Sequence, residues 1–525
     1  MAGREGVPAG LRLRPDAGTR LLGDVLIGGS PTRVLRLTGD GARQVRSWLG
    51  GKPVGDSAQA GKLARQLLDA GMVHPDLAGG WPGAPAPGDV TVVIPVKNRH
   101  GELARCLDGL ITARSASAVH PVREIIVVDD CSDDPAGIEA VAATAAARVI
   151  RRAVNGGPGA ARNTGLAAAT TGLVAFLDSD CVPAPGWLEP LLTHLADPAV
   201  GAVAPRIVPA RQGTTWLARY EGASSTLDMG ARPSIVRPGA RVPYVPGAAL
   251  LVRREAAGTG FAPGIRVGED VDFVWRLAAA GWRVRYEPAA RMGHQHRVRL
   301  RAWFSRRSDY GTSAAILEDL HPGSVRPLYA SWWTVAAWAA ILALRPRPAG
   351  LAAAAVATGA ATSLLARRLS LITGENWPLP RPAASSARPA DPPVRPGTPR
   401  LQGTGWTAWS QAARLAGGGT IASGRPLGSA NTRAWGPLAV PLAIAVPRLR
   451  APLAALVLAP PLLDWVDRRP PLDPVRYAGA RLLDDAAYSA GVWKGCLRAR
   501  SFRVLLPVLG SRKTAEQAAR VTGRD

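Results

Sequence analysis

The sequence predicts an α/β protein: a parallel sheet with helices on both faces, preceded by a small α/β module and followed by an α-helical region. Three observations carry that expectation. Between residues 89 and 300, short apolar runs of buried-strand type alternate with helical patterns, as crossover connections require. The Pro/Gly-rich segment Trp81–Gly88, WPGAPAPG, separates them from a shorter patterned stretch. Beyond about residue 325 the chain turns into nearly uncharged runs broken by Arg-Pro clusters. The 525 residues leave room for about three domains at roughly 150 residues each. The boundaries read as 1–80, a linker at 81–88, 89–325 and 326–525.

In the first stretch, Arg20–Ile27 and Arg33–Leu37 read as short strands around the turn Gly28-Gly29-Ser30-Pro31. Ala42–Leu49 and Ala58–Ala70 read as helices, the second stopping at Gly71. From Asp89, VTVVIPV (90–96) and EIIVVDD (124–130) are buried strands, separated by a helix near Glu102–Ala113. A helix at Pro135–Ala147 leads to a short strand at Val149–Ile150, and Gly172–Leu177 is a further strand ending on Asp178-Ser179-Asp180. Ligands of such sheets lie beyond the carboxyl ends of the strands. That places Lys97-Asn98, Asp129-Asp130 and Asp178–Asp180 around one crevice.

The later apolar runs are Trp332–Leu344, Leu351–Leu365, Trp435–Val446 and Ala451–Val466. Each is shorter than the ~20 residues a helix needs to cross a bilayer. Re-entrant or interfacial hairpins are therefore expected alongside spanning helices, with buried core helices as the plain alternative. The Pro/Ser/Arg-rich stretch 378–400 is expected to lack fixed structure.

Composition narrows the function classes. With 47% hydrophobic and 20% charged residues the chain can bury real cores. A net charge of +25 and a pI near 11.2 invite a nucleic-acid reading. Yet only five of the 64 basic residues are lysine. The arginines are spread along the chain rather than gathered in a stripe, so no nucleic-acid partner is expected. Arginine mixed with apolar runs in the later segments fits an anionic membrane surface. Cys106, Cys131, Cys181 and Cys496 show no CxxC spacing, and so few in a long chain point to a reducing compartment. The N-terminal MAGREGVPAGLRLRPD lacks the apolar core of a secretory signal. The expected location is the cytoplasmic face of the cell membrane.

Asp178-Ser179-Asp180 follows the apolar strand LVAFL. Strand alternation sends both carboxylates to the same side. Such a pair suits a hard divalent cation, Mg²⁺ or Mn²⁺, which keeps several waters and takes phosphate oxygens as its remaining ligands. The ion neutralises charge developing on a diphosphate leaving group. A lone DxD is more often a solvated turn; the buried strand before it and the neighbouring motifs favour a site.

Glu269-Asp270 opens a helical pattern in which Val271, Val274 and Ala278 share a face. Acidic residues at a helix start are ordinary caps, and taken alone that reading has the better odds. The functional reading is a carboxylate general base held by a rigid element near an acceptor hydroxyl. In NGGPGAARNTG (155–165) the glycines admit close backbone approach and the helix opening near Pro158 can receive anions. Arg162 there either pairs with a diphosphate or locks the acidic residues beneath it. No Gly-Lys-Ser/Thr follows, so this is not a Walker loop. Asp129-Asp130-Cys131-Ser132 is either an Asx-capped turn or a hydrogen-bond acceptor for a nucleobase or ribose.

In this order, VVIPVKNR, VVDDCSDD, NGGPGAARNTG, FLDSD and GEDVDFVWRL resemble the family-2 glycosyltransferases of the GT-A fold, a Rossmann-like nucleotide-diphospho-sugar transferase fold. The resemblance covers about residues 89–300. It implies an inverting, single-displacement transfer from a UDP- or GDP-sugar. It implies Pro95, Asn98, Asp129 or Asp130, Arg162 and Asp178 on the donor side. Asp178 and Asp180 would face the metal, and Asp270, beside Glu269, would be the base. His294, in GHQHR, matches a third metal-side position, with His296 as the competing choice.

The N-terminal LRLRPDAGTRLLGDVLIGGSPTRVLRLT and LLDAGMVHP resemble small winged-helix modules of PqqD type, which recognise peptides. Such a module joined to this catalytic domain resembles the glycosyltransferases of the mycofactocin system. That implies a peptide-derived redox cofactor precursor as acceptor, decorated with glucose from UDP-glucose as a β-linked oligosaccharide. The QxxRW element of processive glucan and chitin synthases is absent, and GHQHRVRLRAW (293–303) is only a loose echo, so processivity is not implied. Synthesis of cell-envelope polysaccharide or glycolipid is the alternative. A nucleotidyltransferase needs a Gly-rich basic signature after the first strand, which PVKNRHGEL lacks. A peptide- or DNA-binding regulator with an inactive catalytic domain is opposed by the intact acidic set.

Overall fold

The computed structural model describes residues 6–510 apart from 79–80, 82, 117–121, 212, 296–297, 344–346 and 374–407. Two compact units result: Met1–Pro327 with Thr432–Pro437 and Pro461–Leu506, and Leu328–Asn431 with Leu438–Pro460 and Pro507–Asp525.

The first unit opens with β1 (Leu13–Pro15), β2 (Arg20–Leu22), β3 (Val25–Gly28), β4 (Arg33–Arg36), α1 (Gly39–Leu49), α2 (Ala58–Asp69) and β5 (Val73–Pro75). Strands β2, β3 and β4 form an antiparallel meander, and β1 pairs with β5. The strand expected at Arg20–Ile27 is two strands, because Gly23 adopts φ +62° and turns the chain. Thr38 and Ser57 cap α1 and α2 by accepting from the backbone N–H groups of Gly41 and Ala60. Val45, Trp48, Leu67 and Leu68 close on Leu26 and Met72 to make a core of their own. Ion pairs join this module to the following sheet domain: Arg65 to Asp197 at 2.7 Å, Arg241 to Asp16 at 2.8 Å and Arg283 to Asp69 at 3.0 Å.

From Val90 the chain builds β6 (Val90–Val96), α3 (His100–Ala116), β7 (Glu124–Asp129), α4 (Pro135–Ala143), β8 (Arg148–Arg151), α5 (Pro158–Ala168) and β9 (Leu173–Leu177). There follow β10 (Cys181–Pro183), α6 (Glu189–His194), β11 (Val200–Pro209), α7 (Trp216–Ser224), β12 (Ser234–Ile235) and β13 (Ala249–Arg253). The stretch ends with α8 (Arg254–Ala257), α9 (Glu269–Ala279), β14 (Arg283–His294) and α10 (Leu300–Leu320). The nine-stranded sheet has the order β10-β14-β11-β13-β9-β6-β7-β8, with β12 beside β14.

Strands β8, β7, β6 and β9 are parallel, as expected. The sheet as a whole is mixed: β13 runs antiparallel between β9 and β11, and β10 and β12 run antiparallel to β14. Strand β13 sends Ala249 and Leu251 into the core on one face and Leu250 and Val252 into the core on the other. A strand covered on both faces reads as an unbroken apolar run, and such a run carries no signal of its direction.

Beyond α10 come β15 (Tyr329–Ala330), α11 (Trp332–Ala343), α12 (Arg347–Thr373), α13 (Ala408–Ala422), α14 (Gly424–Arg433), α15 (Gly436–Ala445), α16 (Arg450–Arg468), α17 (Pro474–Ala499) and β16 (Val508–Leu509). Within the helical stretch 326–525, α17 packs along α10 inside the first unit. Glycines let the two backbones approach. A Cβ at Gly491 would lie 1.9 Å from the Ser308 carbonyl oxygen, and one at Gly311 would lie 2.2 Å from that of Tyr488. Gly491→Leu is therefore expected to unseat α17 and lower stability by about 1–3 kcal/mol or more. Gly479→Ala in the same helix, where a Cβ meets nothing within 4 Å, is expected to raise it by about 0.5–1 kcal/mol. Thermal unfolding of both variants checks the pair.

Two apolar helical stretches are longer than the sequence runs implied. Pro348–Ser370 has 23 residues at mean hydropathy 1.6 and Pro447–Arg468 has 22 at 1.4. By length and composition both reach the ~20 residues that cross a bilayer. The helices continue past the strictly apolar runs through small residues such as Ala349 and Gly350, which end a hydropathy run without ending a helix. Leu351, Val356, Leu458 and Val466 on them are exposed. The stretch 378–400, expected to lack fixed structure, lies outside the described residues.

Candidate active site

A cavity of 660 Å³ opens beyond the carboxyl ends of β6, β7 and β9. It is lined by Pro95, Asn98, Asp130, Arg162, Asp178, Asp180, Glu269, Asp270 and His294 among others. The crevice expected from the strand ends thus brings together nine of the ten candidate residues. Asp129 is the exception.

Arg162 is the hub. Helix α5 carries it, and Gly165 on the same helix lets α5 seat against Val93 of β6. The guanidinium is 2% exposed and lies over the Phe261 ring at 5.2 Å. Its Nη2 donates to Asp178 Oδ1 at 2.6 Å and to the Gly247 carbonyl at 3.2 Å, and its Nη1 donates to Glu269 Oε1 at 2.9 Å. Burial works against the charge, but Asp178 and then Glu269 hold the guanidinium more firmly charged than usual. Each terminal nitrogen donates to a carboxyl group, which is the arrangement the locking reading of Arg162 calls for.

Asp178 and Asp180 have different partners, which separates them as metal candidates. Asp178 has one oxygen on Arg162. Asp180 accepts from Arg99 Nη1 on Oδ2 at 2.5 Å and faces His294 Nε2 with Oδ1 at 3.4 Å. Burial pushes Asp180 up, but His294 and Arg99 overcome it and hold the carboxyl well below the usual range. Strand β10 pairs with β14 in a register that sets Cys181 opposite His294, and this is how two residues 114 positions apart meet. His296, the competing choice, lies outside the described residues. Among the described residues no group of three or more His, Cys, Asp or Glu side chains is placed to hold a metal.

Asp129 has both carboxylate oxygens engaged: its Oδ1 accepts from the Ser132 N–H at 2.9 Å and its Oδ2 from Arg151 at 3.0 Å. It caps the strand-end turn as an Asx residue and is not among the residues lining the cavity. Its neighbour on the other face, Asp130, lines the cavity and ties down the Gly-rich loop. It accepts from Gly156 N at 3.0 Å, Gly157 N at 2.8 Å and Arg152 Nε at 2.9 Å. Gly157 takes φ +84° to present that N–H, a conformation other residues rarely adopt. Asn98 exchanges two hydrogen bonds with Asp133, both at 2.8 Å, and so clasps the loops after β6 and β7 together at the cavity wall.

Asp270 stands in the first turn of α9 with one backbone N–H on each oxygen, Gly247 at 2.7 Å and Val271 at 2.8 Å. Gly247 has no room for a side chain, since a Cβ there would lie 3.0 Å from that of Asp270. Glu269 beside it is 7% exposed. Burial, with the charge of Asp270, pushes it up to about 7 against the pull of Arg162. Between its ordinary value and 7 the folded chain holds a proton that the unfolded chain has released. Stability from this group is therefore fully present below pH 4.5 and is lost as the pH rises through 7, by about 3 kcal/mol. Glu269→Gln is expected to flatten that slope between pH 5 and 7, as read from denaturant midpoints.

Several lining residues were not singled out from the sequence. Arg99 closes the first motif, VVIPVKNR, without having been given a role. Tyr244, whose hydroxyl burial pushes up to about 12, sits before Gly247. Arg306 lies over Tyr310 at 5.0 Å, and Arg433 over Tyr488 at 4.2 Å. Arg433 and Tyr488 reach the cavity from segments more than 150 residues downstream of α9, so only folding reveals them.

The family model for glycosyl transferase family 2 matches residues 91–261. The pre-mycofactocin glycosyltransferase of Mycobacterium tuberculosis is 38% identical over 515 residues, spanning 95% of this chain and 98% of that protein. The succinoglycan biosynthesis protein ExoU of Rhizobium meliloti is 31% identical over 218 residues, 38% of this chain and 60% of that one. Among solved structures, the mannosyltransferase PcManGT of Pyrobaculum calidifontis, in complex with GDP-Man and Mn²⁺, is similar over 57% of this chain and 83% of that chain. Its identity is 24% and its TM-score 0.34. With the GT-A sheet, the acidic strand ends and a relative matched along nearly its whole length, the chain belongs to the family-2 glycosyltransferases.

Proposed function

We propose that this enzyme transfers a sugar, glucose from UDP-glucose, to a hydroxyl of the peptide-derived cofactor precursor pre-mycofactocin or its growing β-linked oligosaccharide, with inversion. The observation that carries the acceptor is the near full-length similarity to the pre-mycofactocin glycosyltransferase. The chemistry is supported by the convergence of Asp180, His294, Arg162 and Asp270 on one cavity.

Asp270 takes the proton of the acceptor hydroxyl while that oxygen attacks the anomeric carbon. The bond from that carbon to the diphosphate breaks in the same displacement, and its electron pair leaves with the diphosphate. Arg162 keeps Asp178 and Glu269 in place on either side of the reacting centre. The residues present fit a divalent cation. Asp180 Oδ1 is buried without a hydrogen-bond partner and lies 3.4 Å from the His294 imidazole. One carboxylate oxygen and one imidazole nitrogen leave positions for phosphate oxygens and water, as Mg²⁺ or Mn²⁺ prefers. When bound, the ion would stabilise charge on the leaving diphosphate.

A donor screen with pre-mycofactocin, Mn²⁺ or Mg²⁺ and UDP- or GDP-sugars tests this by released nucleoside diphosphate. UDP-glucose is expected to give the fastest release, and EDTA to silence it. Release no faster than donor hydrolysis, or turnover indifferent to EDTA, would sink the reading. A cell-envelope glycolipid acceptor is the second reading, favoured by the exposed apolar helical stretches Pro348–Ser370 and Pro447–Arg468. Both readings place the enzyme on the cytoplasmic face of the membrane. Recovery of full-length protein in the soluble fraction without detergent would remove that placement.

A further inference from the structure

The cavity has a second wall, which the strand-end carboxylates and His294 do not form. Tyr310 stands on α10 next to Gly311, and Tyr488 stands on α17 with its carbonyl oxygen packed against that glycine. The two helices thus meet where both tyrosines line the cavity. Arg306 lies over the Tyr310 ring at 5.0 Å and Arg433 over the Tyr488 ring at 4.2 Å. Tyr244 lines the same cavity. Burial pushes its hydroxyl up to about 12, and Tyr488, Asp270 and Tyr310 add to the push while Arg433 opposes it. All four groups therefore stand near that hydroxyl, and one of them is the carboxylate proposed as base.

The charge of Arg433 is balanced. It has Asp485 at 3.7 Å, and Arg481 bridges Asp485 at 3.4 Å and Asp464 at 3.8 Å, so two acids meet two arginines. What this wall has to spare is hydrogen-bonding capacity and not charge. Among the described residues, the Tyr244 and Tyr488 hydroxyls and the terminal nitrogens of Arg433 have no hydrogen-bond partner. The ring beneath Arg433 fixes its guanidinium, whose planar fork of donors is then ready for a ligand. A phenolic acceptor spends its one hydroxyl on Asp270 and leaves these groups unused. A sugar ring brings several further hydroxyls, each able to donate and to accept.

We propose that Tyr244, Tyr488 and Arg433 form an acceptor subsite for a sugar ring, the terminal residue of a growing glycan, with one of its hydroxyls at Asp270. The subsite rests on the transfer reading of this cavity and adds which residues select the acceptor. Tyr488 and Arg433 lie beyond residues 91–261, the stretch that the family model matches.

The test is saturation-transfer NMR on the full chain with UDP and Mg²⁺, titrating methyl β-D-glucopyranoside, phenol and methyl phosphate. Wild type is compared with Tyr488→Phe, Tyr244→Phe and Arg433→Met. The glucoside is expected to bind saturably to wild type and more tightly than the other two probes. Each Tyr→Phe change keeps the ring and removes one hydrogen bond, and is expected to raise the half-saturating glucoside concentration about 3–10-fold. Arg433→Met is expected to raise it further; should it fail to fold, the two tyrosine variants carry the test. UDP affinity on the same samples is expected to stay equal, where a merely structural role would shift it too. No saturable glucoside binding to wild type, or binding unchanged by both tyrosine substitutions, overturns the subsite. Tighter binding of phenol or of methyl phosphate also overturns it, in favour of an aromatic or a phosphate-bearing acceptor. Failure of UDP to bind counts against the donor reading instead, and the glucoside titration is then read without nucleotide.

Discussion

Asp180→Ala is expected to lower transfer by about 10³-fold or more, the loss of several kcal/mol of charge stabilisation on the leaving diphosphate. The carboxylate at this position does two things at once. It faces His294 at 3.4 Å with one oxygen and restrains Arg99 at 2.5 Å with the other. Its ionised form is favoured by both neighbours in spite of burial, so it is ready to accept a cation at any pH at which the enzyme works. Removing it takes away one of the two proposed protein ligands and frees Arg99 to swing into the cavity. The variant should fold, because Asp180 lies in the turn between β9 and β10 and not in the hydrophobic core. Mn²⁺ binding followed by electron paramagnetic resonance should weaken in parallel with turnover. Normal turnover with normal Mn²⁺ binding would remove Asp180 from the metal site.

Asp270→Asn is expected to lower kcat by about 10²–10⁴-fold, the usual worth of a positioned general base. The replacement is nearly isosteric. The Gly247 N–H or the Val271 N–H keeps an amide oxygen to donate to, so the turn at the start of α9 persists. Donor affinity should change little, since Arg162 contacts Asp178 and Glu269 and not Asp270. A fall in kcat with an unchanged donor KM therefore distinguishes lost proton transfer from a disordered site. Retention of near-wild-type kcat would pass the base role to another lining group, and buried Glu269, pushed up to about 7, is the next in reach.

Much of the donor half of the site was legible because each motif sits at the end of a strand whose apolar run announces it. VTVVIPV, EIIVVD and LVAFL are buried throughout or nearly so, and the polar residues that follow them are forced to the sheet's edge. Which of two adjacent acids faces the cavity was less legible. Asp129 and Asp130 differ by one residue and so by one face, and of the two only Asp130 lines the cavity. The role of Arg162 stayed open for a related reason: its partners come from β9 and α9, 16 and 107 residues away.

The far wall was invisible in the sequence. Tyr488 reaches the cavity on α17, which Gly311, Gly491 and Gly495 let lie backbone to backbone with α10, and Arg433 comes from the end of α14 to lie over its ring. Isolated glycines in helical patterns read as weak spots and not as contact points. The antiparallel β13 was missed for a different reason, since a doubly buried strand looks the same in either direction.

The most direct test of the central claim is calorimetric titration of UDP into the full chain, with and without Mn²⁺, for wild type and Asp180→Ala. Tight binding only in the presence of Mn²⁺, lost in the variant, is expected if Asp180 and His294 anchor the donor diphosphate through a cation. Equal binding with and without the metal, or binding untouched by the substitution, would contradict it.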